Sequence, residues 1–206
     1  LLNAQGFESW KDLSIYYKKN NLQPENLTEK QLEFLPILES LPADFKDLLD
    51  VPIKKKLFYL VTLPIIYEAN SLILEDRRMI INIEKKFSRT DLNENETNEV
   101  VRLSKKYKLD YSKIHLKLFK QLKQRINMIP TSLALGQAII ESGWGQSRFA
   151  LEGNAIFGQW TWTGQGIEPL NKGKHEGHKI LRFPIKVSVK CCCMITGNYS
   201  LQLKVN

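Results

Sequence analysis

The sequence predicts an α+β fold, predominantly helical, with a small antiparallel β-lobe near its C-terminal end. Three observations predict it. Apolar residues recur at steps of three and four, with polar breaks, as far as Ser142. The composition turns to Gly, Trp, Phe and Thr after Gly143, as in IFGQWTWTGQG (156–166). Two stretches there, FGQWTW and HKILRF (178–183), alternate in polarity as strands do.

Phe7, Trp10, Leu13 and Tyr17 share one face of a helix ended by Asn20 and Asn21. NLTEKQLEFLPIL adds a second helix, with Thr28 as its cap and Pro36 near its end. Pro42 and Pro52 punctuate short helical pieces through ESLPADFKDLLDVPIKKK. A long helix follows over about 54–86, and Pro64 should kink it, because proline removes a donor and clashes with the preceding turn. FSRTDLNENET (87–97) is a polar break, and NETNEVVRLSKKYK a short helix. Ile114, Leu118, Leu122 and Ile126 then mark an amphipathic helix interleaved with lysines. Pro130 stops it and starts another over Thr131–Ser142, where Gly143 suits a left-handed cap. Glu141 is therefore expected in the last turn of a buried helix. GIEPLNKGKHEG, between the strands, reads as a turn.

Hydrophobic residues make up 43% and charged residues 25% of the 206, a balance that predicts a packed core rather than disorder. The formal charge of +8 favours anionic partners without choosing among them, and scattered lysines on helices are ordinarily solvated faces. Charge alone would support nucleic-acid binding, and no nucleic-acid partner is expected. The most apolar run, LFYLVTLPII (57–66), is short for a bilayer and contains Pro64, so no membrane span is expected. Leu1 in place of Met suggests a fragment lacking its true N-terminus. Cys191, Cys192 and Cys193 are consecutive, with neither metal spacing nor a disulfide framework. His175 and His178 flank Glu176 on a polar turn, and neither a metal nor an organic cofactor is expected. No phosphate loop, dinucleotide fingerprint or serine-nucleophile elbow is present. Nothing in the sequence sets an oligomeric state.

The chemistry-bearing feature is ESGWG (141–145), which directly follows PTSLALGQAII. A carboxyl group held against apolar and aromatic surface resists ionisation, because burial disfavours the charged form. The negative end of a helix acts in the same direction. Such an acid can protonate the leaving oxygen of a glycosidic bond as an oxocarbenium-like transition state forms. Gly143 and Gly145 would leave room for a bulky substrate, Trp144, Trp160 and Trp162 offer flat faces for sugar rings, and Gln159 and Asn154 offer amides for hydroxyl or acetamido groups. The plainer alternatives are a partly exposed helix-end glutamate and tryptophans that only fill a β-lobe.

IPTSLALGQAIIESGWGQSRFALEGNAIFGQWTW (129–162) resembles the core of the bacterial glucosaminidase family, peptidoglycan hydrolases with a lysozyme-like fold. The family pattern is carried by Ser132, Leu133, Ala134, Gln137, Ala138, Glu141, Ser142, Gly143, Trp144 and Gly145, then by Asn154, Phe157 and Gly158. FGQWTW and the upstream ESLPADFKDLLDVPIKKKLFYLVTLPIIYEANSLILEDRRMI are similar to the Bax-type branch. The resemblance implies hydrolysis of β-1,4 bonds at N-acetylglucosamine in peptidoglycan, in the cell envelope, with Glu141 as catalytic acid. It implies a second carboxylate in the β-lobe, for which Glu168 and Glu176 are the candidates. The implied organisation is a helical N-terminal region (1–108), a lysozyme-like core (109–190) and an atypical end (191–206). At that end SVK (188–190) follows the family and CCCMITGNYSLQLKVN does not, as a frameshift or truncation would produce. The alternative is an inactive glycan-binding or envelope scaffold module.

Overall fold

The computed structural model of the chain describes residues 6–110, 113–158, 160–161, 166–170 and 179–181. Its architecture is predominantly helical α+β, as the periodicity predicts. The helices are α1 (Trp10–Lys19), α2 (Glu29–Phe34), α3 (Val51–Phe87), α4 (Glu94–Lys106), α5 (Leu116–Arg125), α6 (Thr131–Ser142) and α7 (Arg148–Gly153), with short 3-10 helices at Pro24–Asn26 and Ala43–Asp47. The strands are β1 (Trp160–Thr161), β2 (Gly166–Ile167) and β3 (Lys179–Leu181), in the order β1-β3-β2.

Local chemistry sets most helix ends. Ser9 caps α1 by accepting from the Asp12 N–H. Thr28 with Gln31 and Asn93 with Glu96 form capping boxes at α2 and α4, each satisfying two otherwise orphaned donors. Asp50 Oδ1 accepts from the Ile53 N–H at the start of α3. His115 caps α5 through Nδ1, which accepts from the Leu118 N–H.

Helix α3 continues through Pro64 for 37 residues. By length and composition it is long and apolar enough to cross a bilayer, although its most apolar run, 57–66, is short for one. Most of its apolar window is nevertheless buried inside the protein, as in a core helix.

Among the described residues the chain packs as two compact units. One is built from residues within 1–68 and 130–181, the other from Ala69–Ile129. In the second unit the core is Ile73, Ile80 and Ile83 of α3, Val100 and Leu103 of α4, Tyr107, and Leu118, Phe119 and Leu122 of α5 with Ile126. Burial of each such side chain contributes about 1.5–3 kcal/mol. Asp76 is nearly buried beside this core and accepts from Arg102 Nη2 (3.3 Å), Lys106 Nζ (2.5 Å) and the Tyr107 hydroxyl (2.9 Å).

The first unit buries Leu13, Tyr17, Leu41, Phe45, Leu48 and Phe58 together with Ala134, Leu135 and Ala138 of α6. Its sheet pairs Trp160 with Ile180 and Thr161 with Lys179, the antiparallel pairing expected of FGQWTW and HKILRF. A third strand appears where the sequence reads as a turn: Gly166 pairs with Leu181 and Ile167 with Ile180. Ile167 is buried, which rewards an extended backbone that Gly166 alone would not favour.

Candidate functional site

Helix α6 delivers Glu141 one residue before its end, and Gly143 closes the helix at φ 57°, as the sequence predicts. Burial is where expectation and structure part. Ala134, Leu135, Ala138 and Ser142 form the buried face, whereas Leu133, Ile140 and Glu141 are exposed. Steps of three and four place Leu133, Gln137 and Ile140 on one stripe, with Glu141 beside it. An apolar composition therefore does not mean burial on every side here, and Glu141 stands at the solvent edge of a one-sided helix.

Three consecutive residues after Ser142 have left-handed backbones: Gly143 (φ 57°), Trp144 (φ 59°) and Gly145 (φ 77°). For tryptophan this conformation costs on the order of 1–2 kcal/mol, so neighbouring contacts must hold it. Ser142 supplies part of the hold. Its hydroxyl donates to Ala138 O at 2.5 Å and accepts from the Gly145 N–H at 2.9 Å, committing both of its roles. The Trp144 N–H reaches Ile139 O, and the Ser147 N–H reaches Ser142 O.

Side chains from the N-terminal part of the same unit complete the hold. The Trp144 ring meets Phe58 edge-on at 5.9 Å between centroids, and Lys55 Nζ lies 5.2 Å from the ring centroid. One aromatic surface offered to sugar in the sequence reading thus already carries a protein cation. Gly145 is not spare room for substrate: a Cβ there would sit 2.8 Å from Leu41 Cδ1 and 2.9 Å from Phe58 Cδ2. Gly143 does have open space around it.

Gln146 follows. Lys54 Nζ donates to its Oε1 at 2.7 Å. Its Nε2 lies 3.0 Å from Lys46 O, 3.2 Å from Leu48 O and 3.3 Å from Phe45 O. Those carbonyls belong to the end of a 3-10 helix and the residue beyond it, and Phe45 O also accepts from the Leu48 N–H. The sequence reading passed over Gln146, and no local signal marks a partner about a hundred residues away.

Gly158 closes against the acid. At φ 62° it adopts a conformation that suits glycine, and a Cβ there would lie 3.1 Å from Glu141 Cδ and 3.3 Å from Glu141 Cβ, and closer still to Oε2. The glycine of the NAIFG segment therefore lets the backbone lie on the Glu141 side chain. Asn154 ends α7 in the left-handed region, and its amide donates to Glu39 O at 3.1 Å. That amide is in use within the protein. Glu168 is exposed and pairs with Lys179 at 3.4 Å, while its backbone carbonyl accepts from Arg148. The Trp160 backbone lies in β1. Gln159, Trp162, Glu176, His175, His178 and the three cysteines lie outside the described residues. Among the described residues no cluster of His, Cys, Asp and Glu could hold a metal ion.

The site thus consists of an acid at a helix end, a left-handed turn after it and a small sheet downstream. Residues 116–186 match the Glucosaminidase family model, described as mannosyl-glycoprotein endo-beta-N-acetylglucosaminidase. The chain is also 30% identical over 122 residues to Protein bax of Escherichia coli (strain K12), a stretch covering 59% of this chain and 43% of that protein. It thus spans less than half the length of that relative. Over these stretches the chain is similar to the Glucosaminidase family and to a bacterial Bax protein. No solved structure matches the chain.

Proposed function

We propose that the chain is a glycoside hydrolase of the cell envelope that cleaves β-1,4 bonds at N-acetylglucosamine in peptidoglycan, with Glu141 as general acid. The observation that carries the proposal is the meeting of Gly158 with the Glu141 side chain, which brings the two halves of the family motif together around one carboxyl group. A glycan strand lying over the exposed carboxyl excludes water from it and places the glycosidic oxygen within reach of its proton. Glu141 then protonates the leaving oxygen as positive charge develops on the sugar ring. Glu168 is the candidate second carboxylate among the described residues. Its carboxylate stands 3.4 Å from Lys179 Nζ on the sheet that follows the acid.

The test is digestion of peptidoglycan by the wild-type chain and by Glu141→Gln, with released sugars read by mass spectrometry. Fragments ending in reducing N-acetylglucosamine are expected from the wild type. The substitution should lower turnover by about a hundredfold or more while glycan binding persists, because only the transition state needs the proton. Equal release from both proteins would remove Glu141 from the mechanism. Binding without release from either would instead establish a glycan-recognition module.

A further inference from the structure

We infer that Gln146 is a positioning residue for Glu141, seating the turn after the acid on residues 45–58, which lie ahead of the matched 116–186 stretch. The inference rests on the reading of Glu141 as the acid. Ser142 and the three left-handed residues 143–145 link Glu141 to Gln146. Ser142 ties this turn back to its own helix. Beside the Phe58 contact of Trp144, Gln146 supplies the hydrogen-bonded attachment to residues 45–54. With both faces of one amide engaged, Oε1 by an ammonium and Nε2 by backbone carbonyls, the side chain can adopt only one orientation. Leu41 and Phe58 fill the space that a Cβ on Gly145 would need, so the turn is held from that side too. A turn fixed at both ends keeps the C-terminus of α6, and the Glu141 backbone with it, in a single position in the free protein. Preorganisation of this kind acts on turnover rather than on glycan affinity.

The experiment uses the full chain with Gln146→Ala and, as a milder change, Lys54→Met, which removes only the Oε1 partner. Amide hydrogen exchange at Trp144, Gly145 and Ser147 is measured together with kcat and KM on soluble peptidoglycan fragments. Gln146→Ala should speed exchange at these amides by about tenfold or more, through local opening that leaves the rest of the unit protected. It should lower kcat by roughly 10- to 100-fold with KM within about threefold, the signature of a misplaced group rather than of lost binding. Lys54→Met should move both readouts in the same direction by about threefold. Unchanged exchange at the turn in the folded variants would overturn the seat. Faster exchange with kcat unchanged would overturn the positioning role, since a merely structural residue behaves that way. Should Gln146→Ala fail to fold, Lys54→Met decides by the same criteria. Should the wild type release no sugar, the proposed activity falls, and exchange at the turn still decides whether Gln146 seats it.

Discussion

Replacing Gly158 by alanine tests the meeting of the two motif halves with no appeal to activity. Two costs arise. The backbone sits at φ 62°, and an L-residue there costs on the order of 1–2 kcal/mol. The new methyl would also stand 3.1 Å from Glu141 Cδ and 3.3 Å from Glu141 Cβ. Because Glu141 is exposed, its far end can swing into water, so this second cost is one displaced rotamer, about 0.5–1.5 kcal/mol. The backbone term is the larger, and Gly158→Ala should destabilise by about 2–3 kcal/mol in all. Urea unfolding of Gly158→Ala, Glu141→Ala and the double variant separates the terms. With Glu141 cut back to its Cβ, the alanine should cost about 0.5–1 kcal/mol less. An identical cost in both backgrounds would mean that residue 158 does not touch the acid, and the geometric argument for the site would fail. If Glu141 is the acid, the wild-type background should in addition lose about a hundredfold in kcat, since displacement by about 1 Å suffices.

Two further outcomes concern stability. The Tyr17 hydroxyl is fully buried without a hydrogen-bond partner among the described residues, so Tyr17→Phe should stabilise by about 1 kcal/mol in urea; a loss of stability would reveal a partner. Burial, with Tyr16 nearby, pushes the Tyr17 phenol well above its ordinary 10.0. The unfolded chain therefore gives up this proton first, and stability should fall by about 1.4 kcal/mol per unit above roughly pH 10; Tyr17→Phe should remove that much of the slope, and an unaltered slope would refute the burial argument. In the other unit, Asp76→Asn takes the charge from a nearly buried carboxylate shared by Arg102, Lys106 and Tyr107, both cations being partly solvated. A loss of about 1–2 kcal/mol is expected by thermal or urea unfolding, and a variant as stable as the wild type would show the cluster to be neutral.

Much of the secondary structure was legible in the sequence because its causes are local. Thr131–Ser142 and the left-handed Gly143 follow from a proline, a helical run and a glycine that lie together in the chain. The cap at Thr28 reaches only three residues along the chain, and alternating residues exposed the pairing of β1 with β3. The ESGWG motif was legible as well, since it is a run of neighbours. Other features were settled by tertiary structure. Glu141 is exposed because α6 buries only its Ala134–Leu135–Ala138–Ser142 face, and composition does not say which face finds a partner. Gly166–Ile167 is a strand because β3 lies beside it. The cut of α3 between two units, the role of Gly145 as a close-packing point and the grip of Gln146 on Phe45, Lys46 and Leu48 all join residues far apart in the chain. Periodicity and capping are interactions within one turn or one strand, so sequence alone determines them. Which distant backbone carbonyl meets which amide depends on how whole elements pack, and only the folded chain decides that.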